Sequence, residues 1–310
     1  MEIWSVVFWN GVATAAVRMS IPILLAGLGI VFSERSGVLN IGVEGQMLSG
    51  AFGAFAFAYF TGSFFLGAAF GALVGMIVSG ITVYMCVRRP VNQIVVGVTV
   101  NILCLGLTSF INRIIFTPGA TPPRVPRPPV FAIPGLDSIP IIGAAFFRQP
   151  VPVYVMLLAI PLAYLVLYRS SFGLDLRAAG EHPKAAETMG VKVATMRTRG
   201  VLISGAFAGL AGAFLSIVSL GRFVENISSG RGFIALAIVI FGRWNPVFIF
   251  GAALIFGTAE ALQLRLQAVG VGVPHEFLLM MPYVLTIIVL ALTSKRSLAP
   301  AALGRHYQRE

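Results

Sequence analysis

Residues 169–199 read RSSFGLDLRAAGEHPKAAETMGVKVATMRTR. This stretch carries six basic residues (Arg169, Arg177, Lys184, Lys192, Arg197, Arg199) and three acidic ones (Asp175, Glu181, Glu187) in a chain otherwise sparing with charge. Uncharged apolar runs flank it, 149–168 and 200–221. At about 1.5 Å of rise per residue, roughly 20 residues cross the hydrocarbon core of a bilayer, and both runs reach that length. The interval therefore reads as a water-exposed loop between two membrane spans. Inside it lies a short helix with its own punctuation. Pro183 suits a first helical turn, where its missing N–H is no loss. Residues 184–189 continue it for about two turns, and Gly190 stands where a left-handed cap ends a helix. Ala185 and Ala186 side by side leave a smooth flank on which another protein could sit closely. The plainer alternative is a solvated loop that holds a helical turn.

Working outward, composition agrees with a membrane chain. Of 310 residues, 57% are hydrophobic and 11% charged, where a soluble protein carries about 25% charged residues. The net charge is +11, but the basic residues gather at span ends and in 169–199, as the positive-inside rule produces. No basic face of a soluble domain is visible, which argues against nucleic acid as a partner. Cys86 and Cys104 lie in apolar runs and read as free thiols. The opening MEIWSVVFWN has Glu2 and no basic start, unlike a cleaved signal peptide; Trp4 and Trp9 suggest an interfacial segment.

In chain order, spans are expected at about 12–32, 37–60, 64–86, 93–117, 151–168, 200–221, 247–262 and 277–293. Residues 232–241 form an apolar run too short to cross, stopped by Gly242-Arg243-Trp244-Asn245-Pro246, and read as a half-helix or re-entrant segment. Gly67, Gly71 and Gly75 recur every fourth residue, as do Gly205, Gly209 and Ala213, so tight helix packing is expected there. Residues 118–150 hold nine of the eighteen prolines and read as an extended, semi-rigid loop. The fold class is all-α: a polytopic transmembrane helical bundle of about 8–10 membrane segments, some broken or re-entrant. Putting 169–199 inside places the 33–37 turn, Arg88-Arg89, Arg243 and the basic tail (Lys295, Arg296, Arg305, Arg309) inside as well. The proline-rich loop and Arg222 then lie outside, with Arg124, Arg127, Arg148 and Arg265 as exceptions to the charge rule.

No GxxxxGK[ST] phosphate loop, HExxH, metal-spaced Cys/His cluster or GxSxG elbow occurs. His182, His275 and His306 are far apart. The chain should neither hydrolyse a nucleotide nor hold a metal. From Ser36 to Val87 the only charge is Glu44. Two readings of it stay open: a carboxylate that caps a half-helix or pairs with Arg35, or a polar group on a translocation path. Glu260 is a second intramembrane carboxylate candidate. Asn40, Gln46 and Asn101 could line the same path or bond across helices.

Two stretches now argue together. Residues 33–51, SERSGVLNIGVEGQMLSGA, resemble the signature near the second span of permeases of bacterial ATP-binding-cassette importers, in the branched-chain amino acid, ribose and nucleoside group. Residues 180–193, GEHPKAAETMGVKV, resemble that group's cytoplasmic coupling loop, and 232–246, GFIALAIVIFGRWNP, its late broken segment. The likeness covers about 20–295, and the wording is most like that of the nucleoside members. Lys184-Ala185-Ala186 departs from the Glu-Ala-Ala of the better-known loop. The resemblance implies a single permease domain over 1–310, with core 12–293, cytoplasmic coupling loop 169–199 and external loop 118–150. It implies a multi-pass protein of the inner membrane that imports a small polar solute by alternating access. The solute would be a nucleoside, with ribose-type sugars or branched-chain amino acids as alternatives and a stand-alone ion-coupled carrier behind them. Partners would be two cytoplasmic ATPases, a second permease subunit and an external solute-binding protein. No cofactor belongs to this chain; ATP sits on the partners. Coupling falls to Glu181, His182, Pro183, Lys184, Ala185, Ala186, Glu187 and Gly190, and the pathway to Asn40, Glu44, Gln46 and Asn101.

Overall fold

Apolar side chains on every side bury a helix completely, whereas a single small-residue stripe leaves the remaining faces for lipid. Both kinds of helix occur here. The computed structural model describes residues 6–116, 123–137, 139, 142–269, 274–293 and 299–307. Glu2, Trp4, Lys295, Arg296 and Arg309, read above from sequence, lie outside the described residues.

Helix α1 (Val6–Arg35) is the central element, and every residue from Ser20 to Glu34 is buried. Helix α2 (Val43–Thr61) is buried without interruption from Val43 to Phe55. Helix α3 (Phe64–Thr82, continued by a wider helical turn, Val83–Arg88) shows the other pattern. It buries Gly67, Gly71, Gly75, Ser79 and Thr82 and exposes Phe65, Leu66, Leu73, Met76 and Ile77. Helix α4 spans Gln93–Ile115. A two-stranded antiparallel ribbon, β1 (Val130–Ala132) with β2 (Arg148–Pro150), pairs Val130 with Pro150 and encloses the short α5 (Ile142–Phe146). The next crossing is split into α6 (Val151–Leu157) and α7 (Ala159–Arg169). Then come α8 (Ser171–Glu181), α9 (Pro183–Thr188), α10 (Val193–Ala213, with a wide turn Phe214–Leu220), α11 (Arg231–Phe241), α12 (Pro246–Val269) and α13 (His275–Thr293). Among the described residues, six helical stretches are long and apolar enough to cross a membrane. The buried α2, the short α11 and α13 complete the bundle.

Glycines set how closely α2, α3 and α10 approach. A Cβ on Gly209 would overlap the carbonyl oxygen of Gly71, and one on Gly212 that of Met47. The repeats at 67/71/75 and 205/209 thus work as packing faces, as their spacing indicates.

Three expectations need correction. The second span does not begin at 37: residues 37–42 are a turn and non-helical chain, and α2 starts at Val43. The 151–168 span is present as expected, with a one-residue break at Leu158, because Pro161 cannot donate to the carbonyl of Leu157. The 118–150 loop is not merely extended; it carries the β1–β2 ribbon, fastened by Gln149 N–H donating to the Tyr154 hydroxyl (3.1 Å) and that hydroxyl donating to Phe131 O (3.0 Å). The 169–199 interval is mostly helical. Ser170 caps α8 by accepting from Gly173 N–H (3.0 Å), and α10 begins at Val193, so Arg197 and Arg199 sit in its first turns.

Candidate functional site

Two breaks in the helices face each other inside the bundle. The first, 37–42, lies against α4, where a Cβ on Gly97 would meet Ile41. Its backbone groups cannot turn to water, so side chains serve them. Leu39 N–H donates to the Gln93 side-chain oxygen (2.7 Å), and Gly45 N–H to that of Asn101 (2.8 Å). The amide of Asn101 donates back to Ile41 O (3.1 Å). Asn40 and Gln46 exchange bonds of 2.9 and 3.1 Å, and Asn40 also donates to Ser204 of α10 (3.0 Å). Asn101 stands eight residues into α4, about 12 Å from its start, which puts the first turn of α2 well within the bundle.

The second break is 221–230, which returns from the proline-rich end: Val125 N–H donates to Gly221 O (2.8 Å), and Arg113 pairs with Glu225 (3.0 Å). It ends where α11 begins, beside Glu44. The Glu44 carboxylate accepts from Gly230 N–H (2.8 Å) and Gly232 N–H (2.6 Å). It neutralises the open N–H groups at one helix N-terminus while sitting in the first turn of another. Of the readings left open by the sequence, the half-helix cap is the one observed. Pairing with Arg35 is not: that arginine faces Glu181 at 3.6 Å. Asn40, Gln46 and Asn101 likewise bond across the break. Glu260 pairs with Arg231 at the start of α11.

At its other end α11 stops at Arg243 and Trp244, both with left-handed backbone (φ 53° and 57°). Such strain persists only when the surroundings fix it. Here the Trp244 indole donates to Glu34 (2.5 Å), and the Tyr168 hydroxyl donates to Trp244 O (3.2 Å). With 11 residues, α11 spans about 16 Å, roughly half a bilayer core.

Beyond this end lies the α8–α9 foot. Pro183 opens α9, and Gly190 (φ +90°) closes it. The eight residues expected to couple divide by geometry. His182, Lys184, Ala185 and Gly190 are exposed, as are Thr188 and Met189, the last at 84%. Pro183 is half-buried. Ala186 faces inward against Ala179, Val193 and Met196, so the smooth two-alanine flank is corrected to Ala185 alone. Glu181 and Glu187 are occupied within the chain, the first by Arg35 and Ala301 N–H (3.2 Å), the second by the Tyr307 hydroxyl. Sequence reading missed the 299–307 segment that supplies these partners, and nothing in its composition signals the contact.

A model of the family described as branched-chain amino acid transport system, permease component, matches residues 12–290. This chain belongs to that permease family. The permease is 41% identical to the guanosine ABC transporter permease protein NupQ of Bacillus subtilis, with 96% of each chain covered. It is 37% identical to the nucleoside ABC transporter permease protein NupC of Lactococcus lactis, with 93% of each covered. A Haloferax volcanii protein provisionally named as a glucose ABC transporter permease is 38% identical, over 98% of this chain and 99% of its own. A solved inward-facing structure assigned to the metal-chelate type of ABC transporter superposes with a TM-score of 0.50 at 14% identity, covering 91% of this chain and 85% of that one; it supports the fold. The permease is thus a multi-pass inner-membrane component of an ABC importer.

Proposed function

We propose that this permease moves nucleosides, driven by cytoplasmic ATPases that dock on the α8–α9 foot. The observation that carries the docking is the exposed edge His182, Lys184, Ala185, Thr188 and Met189, set on a helix of one and a half turns just past the half-helix α11. In this reading 1–310 is one permease domain, 169–199 lies in the cytoplasm and 118–150 outside. A second permease subunit completes the pathway, and an external binding protein delivers the solute. ATP is bound by the ATPases and not by this chain. The pathway role foreseen for Asn40, Glu44, Gln46 and Asn101 becomes that of holding the two breaks in register beside it.

The nucleoside assignment rests on the guanosine and nucleoside permeases at 41% and 37% identity. Glucose is the second reading, favoured by the Haloferax relative at 38%.

Ala185→Arg tests docking, since Ala185 is exposed whereas a charge at Ala186 would be buried. The variant is expected to insert normally and to lose both ATPase co-purification and ATP-dependent uptake. Undiminished uptake would refute the docking site. Competition of radiolabelled guanosine uptake by adenosine, glucose and leucine decides the solute: nucleosides alone are expected to compete, and competition by glucose alone would give the sugar reading.

A further inference from the structure

Segment 299–307 does more than cover the foot. Ala302 N–H donates to Gly180 O (2.9 Å), at the last turn of α8, and Gly304 N–H donates to Gly37 O (3.1 Å), just past the end of α1. Ala301 N–H reaches Glu181 (3.2 Å), and the Tyr307 hydroxyl reaches Glu187 on α9. From α10, Arg197 donates to Arg305 O (2.8 Å) and lies 5.9 Å from the centre of the Tyr307 ring. One short segment therefore bonds to the ends of α1, α8, α9 and α10.

The covalent path from α9 leads to α8 and α10 and not to α1. Yet α1 is the helix around which the bundle is packed, and its Glu34 holds the strained end of α11. A push on α9 reaches α1 through non-covalent contacts: Gly180 of α8 and Gly200 of α10 pack against the Arg35 and Phe32 carbonyls, and a hydrogen-bonded strut would stiffen that path. We infer that segment 299–307 is that strut, passing displacement of the docked foot to α1 alongside the Arg35–Glu181 pair. This rests on the docking reading above and goes beyond it by naming how force leaves the foot. Coupling requires elements whose positions are tied by direct contacts, and the backbone bonds to Gly180 and Gly37 are such ties.

The test uses the assembled transporter in proteoliposomes, with its ATPase and binding protein. Three quantities are read: ATPase co-purification, ATP hydrolysis, and solute moved per ATP. One variant ends at residue 298; a second, Tyr307→Phe, keeps the ring over Arg197 and removes only the hydroxyl that reaches Glu187. Truncation removes one acceptor of Arg197, Arg305 O, from a guanidinium whose other buried nitrogens already have no hydrogen-bond partner, so the bundle should still fold. The expected result for the truncated chain is retained ATPase binding and hydrolysis, with solute per ATP reduced about fivefold or more. Tyr307→Phe should give a smaller fall of the same kind. An unchanged ratio in the truncated chain overturns the strut. If truncation abolishes binding or insertion, Tyr307→Phe decides: a reduced ratio supports the strut, and an unchanged one overturns it. Failure of the unaltered permease to bind the ATPase would instead sink the docking reading.

Discussion

Glu44 meets the N–H groups of Gly230 and Gly232 across 186 and 188 residues of chain. Its replacement separates two roles. Glu44→Ala orphans both donors inside the bundle, at a cost of about 1–3 kcal/mol each, so thermal unfolding in detergent should shift clearly downward. Glu44→Gln keeps one acceptor oxygen and should lose less stability. Because the carboxylate caps a helix, ATP-driven uptake by the Gln variant should persist and stay indifferent to a collapsed proton gradient. Loss of uptake with intact stability would point back to an ion-coupling carboxylate. Sequence alone marked this residue, since it is the sole charge between Ser36 and Val87. It could not show the partner, because backbone N–H groups carry no residue signature. Ala186 was misread for a related reason: in a helix of six residues the sequence does not say which flank faces in.

At the scale of elements, the glycine stripe and the open glycines make opposite predictions. Gly212→Ala would drive a methyl into the Met47 carbonyl, an overpacking that costs about 1–3 kcal/mol or more. The yield of folded protein in detergent should fall. Gly80 and Gly106 have nothing within 4 Å of an added Cβ, and both lie in helices. Alanine there should be neutral or stabilising by up to about 1 kcal/mol, because glycine is the poorer helix former. Equal melting temperatures for Gly212→Ala and Gly80→Ala would refute the close α2–α10 contact. The fourfold spacing at 67/71/75 and 205/209 made the α3–α10 packing legible in advance, whereas Gly212, outside that repeat, gave no sign of its contact with α2. The α6–α7 break was not read in advance although Pro161 stands in the sequence, because the apolar run around it reads as continuous helix. The β1–β2 ribbon was hidden because its pairing depends on Tyr154 and Gln149 reaching across the loop, and proline content alone suggested extended chain.

For the whole molecule, the half-helix and the foot have meaning only if they lie toward the ATPase side. The structure gathers Arg35, Arg88, Arg89, Arg169, Arg199, Arg243 and Arg305 at the end that holds the foot, with Val38, Val83, Val87, Val96 and Val201 packed just beneath. Arg113, Arg127, Arg222 and Arg265 belong to the other end, where Glu225 meets Arg113 and Arg127 donates to Leu220 O (3.1 Å). Basic residues occur at both ends, so counting them gives a preference and not a proof; helix parity carries the rest of the orientation. Chemical labelling resolves it. Cys86 and Cys104 are buried and should contribute little background. In right-side-out vesicles a membrane-impermeant maleimide should label an Arg127→Cys variant and leave Met189→Cys unlabelled until the membrane is opened. Inverted vesicles should reverse the pattern. Met189 is the better probe of the two because its side chain stands clear of the foot, so restricted access there can come only from the membrane or from a bound partner. Adding the ATPase to inverted vesicles should then slow the labelling of Met189→Cys and leave an Arg89→Cys control less affected. Labelling of Met189→Cys from outside would turn the molecule over and remove the foot from any cytoplasmic ATPase, however well the fold matches its relatives.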